Sequence, residues 1–323
     1  MYFNREDYRK AWESAESVDP PIPLNVDIEL SSLCNARCPF CHFGDKNYLK
    51  FLREKSANGI SYSRLMPTEI ARRLIDECAE IGVPALKMNV RGESTLHPDY
   101  SEIIRYAAEK NKFYDILVNT NGDVSVSAYH GLVAATKVMI SLDSLVLETY
   151  KRMRPGLNFE NVLRTVRALR RSGHPNLWVR RVVTKQNKDE DFISMCKTKW
   201  PGINVSEHAC FDRNPDVSFS VDPIDPAWPR RYCVQPSQRL VVRANGDVVP
   251  CCVVWNDDEN LIMGHWPEQN LLEIWNGEKI KALRGELKAG FFRSKICADC
   301  TSFSAYDRPE REFLKDKEGV KIK

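Results

Sequence analysis

Between residues 23 and 210 the chain alternates strand-like and helix-like patterns, and that rhythm limits the folds open to it. "PLNVDIELSS" at 23–32 alternates apolar and polar residues, as a half-buried strand does. "MPTEIARRLIDECAEIG" at 66–82 has a Pro-Thr start, apolar residues at helical spacing and a terminal glycine. Strand patterns return at 84–94, 114–122, 135–144, 176–187 and 202–210, with helix patterns at 97–111, 158–173 and 188–200 between them. Repeated βα units build a parallel sheet with right-handed crossovers. Six strands over about 190 residues suit a partial (β/α)6 barrel better than an eight-unit barrel of about 250. An open doubly wound sheet has the same spacing, so the α/β class is set while two architectures stay open.

After residue 211 the rhythm breaks. "FDRNPDVSFSVDPIDPAWPRR" is rich in Pro and Asp and reads as a linker. "SQRLVVRANGDVVPCCVVW" then places Asn245-Gly246, a strong hairpin signal, between two apolar runs. "NLLEIWNGEKIKALRGELKAG" at 270–290 reads as a short helix with a capped end. The expected organisation is an extension at 1–22, a barrel at 23–211 and a small cysteine-rich domain at 212–323.

Charge names no partner: 47 basic residues face 44 acidic ones. That balance argues against a nucleic-acid surface built on bulk charge. No apolar run approaches the ~18 residues of a membrane span. The polar N-terminus lacks the apolar core of a signal peptide, so a cytoplasmic location is expected.

Eleven cysteines are many for such a chain, and in a reducing compartment clustered cysteines suggest metal or redox chemistry. Cys34, Cys38 and Cys41 form one group; Cys233, Cys251, Cys297 and Cys300 form another, with Cys252 beside it. Cys78, Cys196 and Cys210 stand alone and read as buried apolar residues. The first group, "CNARCPFCHFG" at 34–44, follows the first strand, on the loop face where α/β active sites lie. Three thiolates hold three irons of a [4Fe–4S] cube and leave the fourth without a protein ligand. Zinc bound by these cysteines and His42 is the competing reading, although adjacent Cys41 and His42 chelate one tetrahedral ion poorly.

The spacing C-x3-C-x2-C, with the aromatic Phe40 before the third cysteine, resembles the hallmark of the radical S-adenosylmethionine (SAM) superfamily. "RGES" at 91–94 resembles that family's Gly-Gly-Glu element, with Arg91 in place of the first glycine. "NTNG" at 119–122, "SLDS" at 141–144 and "RRVVTKQN" at 180–187 resemble its later strand-end elements. The resemblance, over about residues 20–210, implies that Cys34, Cys38 and Cys41 hold the cluster. It further implies SAM contacts from Phe40, Gly92, Glu93, Ser94, Asn119, Asn121, Ser141, Asp143 and Arg180, with Glu93 on the amino group and Arg180 on the carboxylate. The implied chemistry is one-electron cleavage of SAM to a 5′-deoxyadenosyl radical that abstracts a substrate hydrogen, with an external donor such as flavodoxin or ferredoxin.

The second group resembles the start of the SPASM domain: twelve residues separate Cys233 from Gly246, four more precede Cys251, and Cys297-x2-Cys300 follows. No cysteine follows Cys300, so the segment looks like the shortened relative called twitch, with one auxiliary [4Fe–4S] cluster. Cys252 is the alternative to Cys251, and a four-thiolate zinc site would use the same residues. The implied substrate is a small molecule such as an alcohol, undergoing net oxidation, or alternatively a peptide or protein side chain. About 22 residues before the first strand are too few for a leader-binding winged helix, which weighs against the leader-peptide form of that alternative. A reading in another class is a zinc-binding interaction protein, which needs none of "RGES", "NTNG" and "SLDS". The stretch 45–65, with three lysines and several aromatics, is a candidate cap over the barrel, and His97 and His208 receive no role.

Overall fold

The computed structural model describes residues 4–15, 17–46, 49–50, 64–210, 232–254 and 258–300. Most of the candidate cap, the linker at 211–231 and the tail beyond Cys300 lie outside those residues. Six parallel strands follow one another: β1 (Asn25–Ile28), β2 (Ala85–Lys87), β3 (Asp115–Thr120), β4 (Lys137–Ser141), β5 (Leu177–Val183) and β6 (Asn204–Ala209). Each pairs with its sequence neighbour. A doubly wound sheet reverses its strand order partway; this one does not. Right-handed crossovers then put every helix on the same face, the winding of a barrel wall.

Alternation along the strands explains the two faces. In β5, Leu177, Val179, Arg181 and Val183 are buried, whereas Trp178, Arg180 and Val182 are partly exposed. The buried rows of the sheet, including Val26, Ile28, Val118, Ile140 and Val179, join Leu74, Ile75, Ile104, Val162 and Val166 of the helices in one core. The helices supplying those residues are Thr68–Ile81, Tyr100–Glu109 and Phe159–Arg171. Their apolar residues recur every three or four positions, so one stripe of each helix meets the sheet. Helices Val126–Ala134 and Leu147–Met153 complete the crossovers. The opposite face of the sheet is polar: Asp27, Lys87, Asn119, Ser141 and Arg180 lie on it.

The sheet does not stop at β1. Strand β7 (Arg239–Val242) pairs with β1 in parallel, with Asn25 opposite Arg239 and Ile28 opposite Val242. Strands β8 (Asp247–Val249) and β9 (Gly264–His265) continue it in antiparallel fashion, giving nine strands among the described residues. The hairpin expected around Asn245-Gly246 is the β7–β8 pair, with Gly246 at φ 90°. The segment at 270–290 forms two helices, Leu271–Trp275 and Glu278–Lys288, split at Asn276-Gly277.

Helix α1 (Arg5–Ser14) packs beneath the N-terminal ends of the strands. Arg5 pairs with Asp115 at 3.0 Å, and Tyr8 stacks on Tyr114 with centroids 6.4 Å apart. Trp12 lies 5.2 Å from the guanidinium of Arg239, which reaches the fully buried Asp27 at 3.4 Å. Among the described residues no helix is long and apolar enough to cross a membrane.

Candidate active site

The cysteine loop is held from three sides. Its own turns close through Cys41 N–H to the Cys38 carbonyl at 3.0 Å and Gly44 N–H to the Cys41 carbonyl at 2.8 Å. A Cβ at Gly44 would meet the Cys38 carbonyl, so only glycine lets the loop fold back this tightly. On the second side lies the "RGES" turn: Glu93 N–H donates to the Leu33 carbonyl at 2.7 Å. Gly92, at φ 64°, approaches so closely that a Cβ would lie 2.8 Å from the Ser31 carbonyl oxygen. On the third side Arg37 N–H donates to the Pro155 carbonyl at 2.9 Å, and a Cβ on Gly156 would stand 2.7 Å from the Asn35 carbonyl oxygen.

Those contacts bring Cys34, Cys38 and Cys41 to one pocket at the C-terminal ends of β1–β4. Burial pushes the Cys34 thiol up to about 11 and the Cys38 thiol up to about 12. Buried thiols of this kind become thiolates only beside a cation, which is what iron would supply. Among the described residues no three ligating side chains stand close enough to share one metal ion, so the three thiols suit the separate irons of a cluster by their chemistry.

Of the nine residues expected around SAM, Phe40, Gly92, Glu93, Asn119, Asn121 and Ser141 line the pocket. Glu93 is 4% exposed and anchored from below. Its Oε1 accepts from Thr95 Oγ1 and Thr120 Oγ1, both at 2.8 Å, and from Thr95 N–H at 3.3 Å. Among the described residues its Oε2 accepts only Asn121 N–H, at 2.7 Å. Burial raises the Glu93 carboxyl, against the pull of those hydrogen bonds.

The other three are not among the lining residues. Ser94 is fully buried in the turn behind Glu93. Asp143, fully buried at φ 62°, accepts Val182 N–H at 2.7 Å and the Arg154 Nε–H at 2.6 Å. Arg180 stands opposite Ser141, one strand further along the polar face.

Arg154 enters the pocket without a signal in the sequence. Its guanidinium lies 5.6 Å from the Phe40 ring centroid, between Asp143 and the cysteine loop. Burial works against its charge, but Asp143 and Cys38 outweigh burial and raise its pKa. Asn35, which accepts from Asn121 Nδ2 at 2.7 Å, was equally silent. Arg91, the departure from the Gly-Gly-Glu pattern, pairs with Glu29 of the first strand's end at 2.7 Å.

In the second group, Cys233, Cys251 and Cys297 pack against the C-terminal part of the core. Burial raises the Cys251 thiol well above its usual value; Cys252, Cys233 and Cys300 add to this through their charges. Cys300 N–H donates to the Cys297 carbonyl at 3.3 Å, a single turn that presents both residues together. Cys252 lines the first pocket beside Cys34 and Cys41, although it is adjacent to Cys251.

Comparison with known proteins agrees with this arrangement. The radical SAM superfamily model matches residues 28–198, and an iron–sulfur cluster-binding domain, SPASM, matches residues 233–301. A GTP 3′,8-cyclase of Syntrophomonas wolfei is 26% identical over 179 residues, covering 54% of this chain and 51% of that protein. The chain thus spans about half the length of that curated relative. The S-adenosyl-L-methionine-dependent 2-deoxy-scyllo-inosamine dehydrogenase of Niallia circulans is 30% identical over 83 residues, covering 25% of this chain and 32% of that one.

Among solved structures, anSMEcpe with bound AdoMet has a TM-score of 0.64 at 16% identity, covering 93% of both chains. Streptococcus suis SuiB bound to its precursor peptide has a TM-score of 0.63 at 14% identity, covering 91% of this chain and 73% of that one. These likenesses show the fold. The family implies SAM and [4Fe–4S] clusters as cofactors, which sets aside the zinc-only reading of the cysteines. The chain belongs to the radical SAM superfamily and carries a C-terminal SPASM iron–sulfur domain.

Proposed function

We propose that this chain oxidises a small molecule by abstracting a hydrogen atom, using SAM and one auxiliary cluster. The observation that carries the reading is the convergence of Cys34, Cys38 and Cys41 with Glu93, Asn121 and Ser141 on one pocket. When bound, the cluster and SAM supply a 5′-deoxyadenosyl radical through one-electron cleavage of the sulfonium. The chain's own residues bind and orient. Three cysteines leave one iron of a cube open to SAM. Glu93 Oε2 accepts one hydrogen bond and has room for an ammonium donor.

Arg154, not Arg180, offers a guanidinium inside the pocket for the SAM carboxylate. Asn119, Asn121 and Ser141 supply polar edges for the ribose. Asp143 is a positioning residue that holds Arg154. Cys233, Cys251, Cys297 and Cys300 would hold the second cube with four thiolates, and a cube so ligated would supply one-electron redox capacity. The two cysteine groups are assigned to a barrel at 23–211 and an auxiliary segment at 212–323, whose strands β7–β9 extend the same sheet.

The partial likeness to the inosamine dehydrogenase supports the small-molecule reading. Anaerobic incubation with SAM and a reductant tests it: wild type releases 5′-deoxyadenosine, and a Cys34→Ala/Cys38→Ala/Cys41→Ala variant releases none. Loss of two hydrogens from a small molecule supports oxidation. An altered mass or stereocentre on a peptide would transfer the assignment to peptide modification.

A further inference from the structure

The polar face of the sheet carries a second constellation beyond the cysteine pocket. Arg180 of β5 lies opposite Ser141 of β4 on one side and Ser206 of β6 on the other. Two residues further along, Val182 stands opposite His208. Side chains at paired positions share a face, so Ser141, Arg180 and Ser206 form one row, with His208 above Ser206. Ser141 belongs to the cysteine pocket, so the row starts there and runs away from it.

Two of these groups, Ser206 and His208, have a buried polar atom without a partner among the described residues, and the half-buried Arg180 stands beside Ser206. Ser206 is 1% exposed, and its Oγ has no hydrogen-bond partner among the described residues. His208 Nε2 is buried and equally unsatisfied. The Arg180 guanidinium makes no ion pair and no side-chain hydrogen bond among the described residues, whereas its neighbour Arg181 pairs with Glu207 at 2.6 Å. Buried polar groups are rarely left this way, because each carries an unrepaid desolvation penalty. A built row of donors with nothing to donate to is the signature of a ligand site.

We propose that Arg180, Ser206 and His208 bind a carboxylate of the substrate on the polar face of the sheet, beside the SAM pocket. This inference rests on the proposed reading of that face as the reaction chamber. The charge count selects the ligand class. Burial, then the Arg180 charge, pushes His208 down to about 3, so its imidazole is neutral. Arg154, whose charge acts on Arg180, is already matched by Asp143 at 2.6 Å. One unmatched guanidinium balances a monoanion, and its planar fork suits a carboxylate. A phosphate dianion would leave a negative charge uncompensated in a buried place. A carboxylate could come from substrate or from SAM; Arg154 serves the SAM side because it alone of the two arginines lines the cysteine pocket.

The test uses the full-length, anaerobically reconstituted protein with SAM present, and radiolabelled benzoate as the carboxylate probe in equilibrium dialysis. The expected result is saturable binding of one benzoate per chain, weakened at least tenfold by Arg180→Met and several-fold by Ser206→Ala. Arg180→Lys recovers part of the affinity, which separates a lost charge from a failed fold. Phosphate competes poorly, and SAM affinity stays within twofold of wild type in Arg180→Met. Non-saturable benzoate binding, or stronger competition by phosphate, would overturn the proposal. So would a tenfold loss of SAM affinity in Arg180→Met, which would assign Arg180 to SAM. Benzoate binding without any SAM cleavage by wild type would uphold the carboxylate site and overturn only the proposed reaction.

Discussion

Arg91 clasps Glu29 through two parallel bonds, Nε to Oε2 at 2.7 Å and Nη2 to Oε1 at 2.8 Å. The pair ties the end of β1, where the cysteine loop begins, to the turn that carries Glu93. Glu29 is fully buried. Burial raises its carboxyl, but the charges of Arg91 and Arg243 and the Arg91 hydrogen bonds outweigh it and hold the pKa low. Removing the cation strands a buried carboxylate, so Arg91→Ala should cost about 3–5 kcal/mol. Urea unfolding of wild type and variant measures this. A depressed carboxyl stabilises above its unfolded pKa of 4.5 and loses that contribution as pH falls through the folded value. The urea midpoint of wild type should therefore drop below about pH 4.5 more steeply than that of Glu29→Gln/Arg91→Met.

Gly92 should tolerate no side chain. Its φ of 64° and its closeness to the Ser31 and Leu33 carbonyls leave no room for a Cβ. Gly92→Ala must push the "RGES" turn off the cysteine loop. The expected outcome is a loss of stability of roughly 2 kcal/mol or more and impaired cluster incorporation, read by thermal melting and iron content.

Glu93→Gln tests the amino-group cradle. The amide NH2 replaces one carboxylate oxygen and sets N–H donors against either Thr95 and Thr120 or Asn121. SAM affinity should fall at least tenfold, the scale of one charge-assisted hydrogen bond, while the iron content of the variant stays at the wild-type level. Unchanged SAM affinity would remove Glu93 from the cradle.

Two neighbouring cysteines should behave differently. The charges of Cys252, Cys233 and Cys300 all act on Cys251, and of the adjacent pair only Cys252 is among the residues lining the first pocket. Cys251→Ser should lose about four irons per chain and Cys252→Ser none, by iron assay after reconstitution. The opposite pattern would exchange their roles.

The legible parts of the molecule were those that local chemistry controls. The β-strands were visible because alternation repeats every two residues, although β2 (Ala85–Lys87) is much shorter than its pattern. Helix α1 was not read, since its apolar residues Tyr8 and Trp12 meet partners over 100 residues away, at Tyr114 and Arg239. The pairing of β7 with β1 was equally hidden, because a parallel partner is chosen by tertiary packing and not by a turn. At the site, cysteines and the glycine-glutamate turn announce themselves by spacing. Arg154 does not: its role comes from a salt bridge to Asp143 across a helix and two turns. Asp143 and Ser94 carry the family pattern, yet neither is among the residues lining the pocket; Asp143 instead holds Arg154, which is.

Two clusters are proposed for this chain, with the radical chemistry at the first. Iron and sulfide content, measured after anaerobic reconstitution of wild type and of the Cys34→Ala/Cys38→Ala/Cys41→Ala variant, tests it most directly. Wild type should hold about eight irons, falling to about four in the variant. About four irons in wild type, unchanged in the variant, would contradict it.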